Sequence, residues 1–180
     1  MKTISKIHIY FLQPLLNILP FFWIDVFYDN QTYIGNQMHY FLYLFLWVIS
    51  SVFGFYYYSK KIWEYYHISF NKKNHAFISL GMILASCIPY DNITLYKDLH
   101  VWLSIFFVVC FLVEWFKHVP LQLNKNSTLF YINIGLSLFF TFVFGHITGF
   151  CEIYFSFTTN SILHHWMSQV EKNQSSLDNF

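Results

Sequence analysis

The chain reads as an all-α, polytopic transmembrane helical bundle with six spans and both termini in the cytoplasm. Three observations predict this. Hydrophobic residues make up 56% of the chain and charged residues 11%, where a soluble globular domain carries about 25% charged residues. The apolar residues fall in long blocks, each near the ~20 residues that a spanning helix requires. No arginine occurs, and the lysines cluster between the blocks.

The first block, residues 7–28, contains Pro14 and Pro20, so its helix is expected to kink. The second, 38–58, is the clearest. The third, 76–90, is short and holds Gly81 and Ala85, a small-x-x-x-small pair that suits a central, closely packed helix. The fourth covers 99–116, the fifth 128–144 and the sixth 150–166. Gly145 and Gly149 bracket a tight turn that separates the last two. Residues 1–167 then form one transmembrane domain, and 168–180 a polar, frayed C-terminal tail. The uncleaved first span starts after Lys2 and Lys6, and no small-residue cleavage site follows it.

Lysine placement alternates along this division. Lys2 and Lys6 precede span 1, and the 29–37 loop has none. The 59–74 segment holds Lys60, Lys61, Lys72 and Lys73, and the 91–98 loop only Lys97. Lys117 and Lys125 follow span 4, the 145–149 turn has none, and Lys172 lies in the tail. The positive-inside rule places the richer loops in the cytoplasm, which makes the protein an integral, multi-pass membrane protein. Trp23, Tyr28, Trp63, Trp102, Trp115 and Trp166 sit at span boundaries, where amphipathic rings anchor at headgroup level. Cys87, Cys110 and Cys151 form no C-x-x-C and read as small core residues. A net charge of +1 without a basic helix face excludes a nucleic-acid partner.

Threading the spans brings polar residues to one extracytoplasmic layer: His39, Asp91, His100, His146 and Glu152, with Asp25, Asp29 and Asp98 nearby. His39, His100 and His146 are candidate metal ligands, zinc first. Glu152, His100 and His146 are candidate acid–base groups for headgroup chemistry, with Asp91 beside them for substrate. The bland alternative is polarity at helix ends that simply meets water. A haem reading would need facing histidine pairs, and the chain has no arginine to hold propionates. Two stripes are more specific. Asn133, Ser137, Thr141 and Gly145 share one face of span 5, and Glu152, Ser156, Thr159, Asn160 and Leu163 share one face of span 6. Such faces point into a bundle, either as interhelical hydrogen bonds or as the lining of a polar cavity.

The run from Gly81 to Asp91 with Pro89, followed by His100 at the head of the next span, resembles the DRAM/Frag/Sfk family of six-span membrane proteins. Glu152, Asn160 and His164 in the last span resemble its GPI-anchor-remodelling branch. The resemblance implies cytoplasmic termini and lipid handling, with His100 and Glu152 in the chemistry and Asn160 and His164 binding substrate. Membrane lipids are therefore the expected partner. The alternatives are a non-catalytic accessory or immunity-type protein working on a membrane protein partner, and a metal- or haem-binding redox protein.

Overall fold

The structure, a computed structural model, describes residues 2–36, 38–89, 94–118 and 124–177. Its first element is a continuous helical rod that departs from α register at two places. Helix α1 (Lys2–Ile7) runs into a π-helical turn (His8–Leu12), then α2 (Gln13–Ile18), then a 3₁₀ turn (Leu19–Phe22). Pro14 explains the π turn. It has no N–H for the Tyr10 carbonyl, and the Gln13 N–H reaches back five residues to His8 instead. Pro20 likewise opens the 3₁₀ turn. The expected kink thus takes the form of changes in hydrogen-bond register.

The helical rod stops at Phe22, six residues short of the expected end of span 1. Trp23 and Ile24 both donate to the Pro20 carbonyl, and the Asp25 side chain accepts from the Phe27 N–H at 3.1 Å. That local bond draws the backbone into a turn. A short helix, α3 (Gln31–Asn36), then forms inside what the sequence suggested was a loop. The Asn30 side chain caps it by accepting from the Tyr33 N–H at 2.9 Å.

Helix α4 (Phe41–Tyr65) extends well past the expected end of span 2. Helix α5 (Lys72–Ser86) begins at an Asn71 cap, four residues before the expected start of span 3. Helices α6 (Thr94–His118) and α7 (Lys125–Phe144) follow; Asn124 and Ser127 form a reciprocal capping box for α7. Gly145, at φ 71°, ends α7 in the left-handed region that glycine tolerates. Helix α8 (Gly149–Leu177) is therefore separate, with the Thr148 hydroxyl accepting from the Cys151 N–H at its start. No strand occurs among the described residues. Among the described residues three helices, α4, α6 and α7, are long and apolar enough to cross a membrane.

Helix α4 packs against both α5 and α8, α5 against α6, and α7 against α8. Direct backbone approach between α6 and α7 is marginal, so the five long helices form an incompletely closed ring. At one end the ring is shut by an aromatic core. Trp63, Trp115 and Trp166 are buried there, with Tyr58, Phe111, Phe130 and Leu163. Trp115 donates to the Ser59 hydroxyl and Trp166 to that of Tyr66. These three tryptophans are core residues, not the interfacial anchors expected of them; Trp102 and Tyr28 remain exposed. Cys87 is also exposed, not core.

Two further expectations change. Helix α5 is not central: Phe77, Leu80 and Leu84 are exposed along it. Its Gly81 face nevertheless meets α6 closely, because a Cβ there would strike the Phe107 ring. The tail beyond Met167 is helical to Leu177, since Met167 and Val170 stay in the core and Asn126 donates to Gln169 at 2.6 Å.

Gly54 is the tightest point between α4 and α8, where an added Cβ would collide with the Asn160 side-chain oxygen. Gly54→Ala is expected to destabilise the fold by about 1–3 kcal/mol. Gly135→Ala meets nothing within 4 Å and is expected to leave stability unchanged or higher. Thermal melts of both variants in one detergent check the contrast.

Candidate functional site: a cleft between α6 and α7

The gap between α6 and α7 is a wedge. The two helices touch near the aromatic end, where Trp115 meets Phe130 at 4.8 Å and Phe116 stacks on Tyr131 at 5.1 Å between ring centroids. Away from that end they splay, and a cleft of about 440 Å³ opens between them. That volume lies within the usual ~300–1,000 Å³ of small-molecule sites. From His100 to Leu112 along α6 the cleft runs for about 18 Å at ~1.5 Å per residue.

Its walls are mostly aliphatic and aromatic, including Val108, Leu112, Ile134 and Phe155. Ile105 and Val109 on α6 and Leu138 on α7 line the cleft and are also exposed, so they form its lips. Polar groups gather at the wide end: Thr32, His100 and Glu152. The expected cavity is therefore present, but it is apolar with a polar head, not polar throughout.

Each head group is held from α3. The Gln31 N–H donates to Glu152 Oε2 at 2.7 Å. Thr32 Oγ1 lies 3.1 Å from His100 Nε2, and His100 Nδ1 lies 3.1 Å from the Ile88 carbonyl. A carbonyl only accepts, so Nδ1 carries the proton and in the neutral ring Nε2 accepts from Thr32. Glu152 sits in the first turn of α8, where the helix N-terminus favours a carboxylate. The loop before α3 is clamped to the same turn. The Gly149 N–H donates to the Asp29 carbonyl at 2.6 Å and the Phe150 N–H to Val26 at 2.7 Å. A Cβ at position 149 would crowd the Asp29 carbonyl, which explains glycine there.

Of the residues the sequence nominated, the structure brings His100 and Glu152 to one cleft head. His146 is exposed outside it, its ring nitrogens 3.0 and 3.1 Å from the Phe144 and Tyr28 carbonyls. His39 is exposed at φ 60°. Among the described residues no group of three or more His, Cys, Asp or Glu is placed to hold a metal ion, so His39, His100 and His146 do not assemble as a zinc set. Asp91 lies outside the described residues. Asn160 and His164 are buried further along α8 and do not line the cleft. Asn160 donates to the Ser51 and Ser156 carbonyls, and His164 packs edge-on to Tyr58 and Tyr10.

Both stripes face inward. Asn133 donates to Thr159 at 3.0 Å and accepts from Thr158 at 2.6 Å, while the Ser51 and Ser156 hydroxyls meet at 2.6 Å. Asn133, Ser156 and Thr159 thus make interhelical bonds, Ser137 and Thr141 donate to carbonyls of their own helix, and Ser137, Thr141, Ser156 and Glu152 also line the cleft.

A second buried polar cluster escaped sequence reasoning. His8 Nδ1 lies 2.6 Å from the Tyr58 hydroxyl and Nε2 2.8 Å from the Ser50 carbonyl. Gln13 donates to Ser50 Oγ, Asn17 to Gln13, and Trp47 to Asn17. His8 and Gln13 are five residues apart, which falls on one face only in π register. Pro14 directly after Gln13 was the available signal. The amides of Gln13 and Asn17 interrupt any proton path through this cluster, so it reads as a seam between the rod and α4.

In comparisons with known proteins, no family model, curated protein or solved structure matches the chain.

Glu152→Gln keeps an acceptor for the Gln31 N–H and is expected to fold normally. Glu152→Ala leaves that N–H unpaired and is expected to lose about 1.5–3 kcal/mol, the range for a hydrogen bond to a charged group. Melting of both variants in detergent separates these outcomes.

Proposed function

We propose that the chain is an integral membrane protein of six spans with cytoplasmic termini, and that it holds a membrane lipid in the cleft between α6 and α7. The carrying observation is the cleft's position. Its lining draws on α4, α6 and α7, the helices apolar enough to span a membrane, and its lips on α6 and α7 are exposed aliphatic side chains. Phe106 and Val113 on α6, and Phe139, Phe142 and Val143 on α7, are exposed around it. In a bilayer such residues face acyl chains, so the mouth between the lips opens sideways into lipid. A chain entering there would lie along α6 with its head beside Thr32, His100 and Glu152.

The lysine alternation supports the topology. It also requires the rod, the short α5 and the long α8 to cross, although among the described residues only α4, α6 and α7 combine the length and apolarity of ordinary spans. The buried Gln13, Asn17, Asn133 and Asn160 are satisfied at least in part by neighbouring helices, which is how polar residues are accommodated at membrane depth. Binding is favoured over lipid remodelling. Both ring nitrogens of His100 are engaged, and His146 stands outside the cleft.

Cysteines introduced at Asn36 and Lys72 are expected to label from opposite sides of the membrane; labelling from the same side removes the six-span topology. Mass spectrometry of the purified protein is expected to find a retained lipid. Leu138→Trp, at an exposed lip, is expected to reduce that lipid several-fold while leaving the melting temperature unchanged. Equal lipid in the variant and the parent would mean that the cleft is not the site.

A further inference from the structure

Resting on the lipid-cleft reading, we propose that the occupant is a single-chain amphiphile with a protonated amine head, which ion-pairs with Glu152. The apolar walls cannot choose among lipids. An acyl chain moving from the bilayer into an apolar cleft exchanges one hydrocarbon environment for another, so burial supplies little net free energy. The hydroxyls of Ser51, Ser86, Ser137, Thr141 and Ser156 along the walls are bonded within the protein, so discrimination by charge falls to the polar atoms at the wide end.

Those atoms favour a cation. No lysine lines the cleft, and the chain has no arginine. A phosphate or carboxylate head would meet Glu152 with no counter-charge, and like charges in a partly desolvated site repel strongly. Glu152 is partly buried, its Oε2 is held by the Gln31 N–H, and it forms no salt bridge among the described residues. An ammonium group brought to the remaining oxygen would offset the cost of holding that carboxylate out of water.

The surroundings have the same sign. Among the described residues at this end, Asp25, Asp29, Asp98 and Glu152 stand against Lys97 alone, and Lys97 is exposed and does not line the cleft. The buried Gln31 side-chain N–H group has no partner, but Gln31 does not line the cleft and its carbonyl faces Tyr43. Thr32 and His100 already satisfy each other, so Glu152 carries the recognition and Thr32 can also accept from an ammonium N–H. A cleft of about 440 Å³ that runs about 18 Å from His100 to Leu112 suits one chain better than two.

The test compares four probes of equal chain length, dodecylamine, dodecanol, dodecanoate and dodecyl phosphate, on the full chain in zwitterionic nanodiscs. Dodecylamine is expected to bind about tenfold or more tightly than each of the others, a gap of ~1.4 kcal/mol. Glu152→Gln is expected to remove that advantage. Dodecanoate or dodecyl phosphate binding as tightly as the amine would overturn the proposed head while leaving the lipid cleft standing. So would an amine advantage that survives Glu152→Gln. If no probe binds, or if Leu138→Trp weakens none of them, the lipid-cleft reading fails as well. The ranking on the unmodified chain needs no variant, so a misfolded Glu152→Gln would not rescue the proposal.

Discussion

Helices α4 and α8 are locked together by a short polar seam, and the placement of the cleft follows from it. Gly54 lets the two backbones approach against Asn160, whose amide bonds to the Ser51 carbonyl, and the Ser51 and Ser156 hydroxyls meet one turn away. In an apolar surrounding these bonds have no water to compete with them, so they fix rotation and register in a way that aliphatic packing would not. Ser156 lies one helical turn from Glu152. Once the seam sets α8, Glu152 arrives at α3 and the cleft head. Thr158 and Thr159 next to Asn160 bind Asn133, and that sets α7 on the other side.

The cleft is what remains when α6 and α7 are each fixed by a different neighbour. Helix α6 is held by α5, and α7 by α8. Among the described residues, ring contacts join the two at the Trp115 and Phe130 end. Two helices pinned at one end and carried by separate partners diverge, and the space between them widens toward α3. The α3 segment then closes the wide end with polar groups, because Gln31 and Thr32 reach Glu152 and His100. An aliphatic slot with a polar head has the form of an amphiphile, and in a membrane its open side would face a supply of them.

The sequence contained the blocks but not their depth. Trp63, Trp115 and Trp166 lie at block boundaries, as interfacial anchors do, yet they pack on one another and on Phe130. Position along a chain cannot distinguish an anchor facing headgroups from a ring facing its neighbours. Nor could the 29–37 loop announce a helix, since α3 has six residues and its stability comes from packing against α4 and from the Gln31 N–H bond to Glu152. Isolated helices of that length do not persist. The tail beyond Met167 looked polar because its exposed residues outnumber the few, Met167 and Val170, that anchor it.

Hydropathy and small-residue spacing, both local properties, determined the all-α class, the three helices long and apolar enough to cross a membrane, the Gly145 break between α7 and α8, and the inward polar faces of α7 and α8. They also nominated His100 and Glu152, since both stand at the same end of apolar runs. The pairing of residues far apart in the chain was left to the tertiary structure. It brought His100 and Glu152 to adjacent residues of α3, left His39 and His146 outside, and placed Asn160 against α4 and His164 between Tyr10 and Tyr58, away from the cleft. Helical periodicity specifies which side of a helix is polar, but which neighbour that side meets depends on interhelical contacts such as Gly54 with Asn160, and a single sequence does not display them.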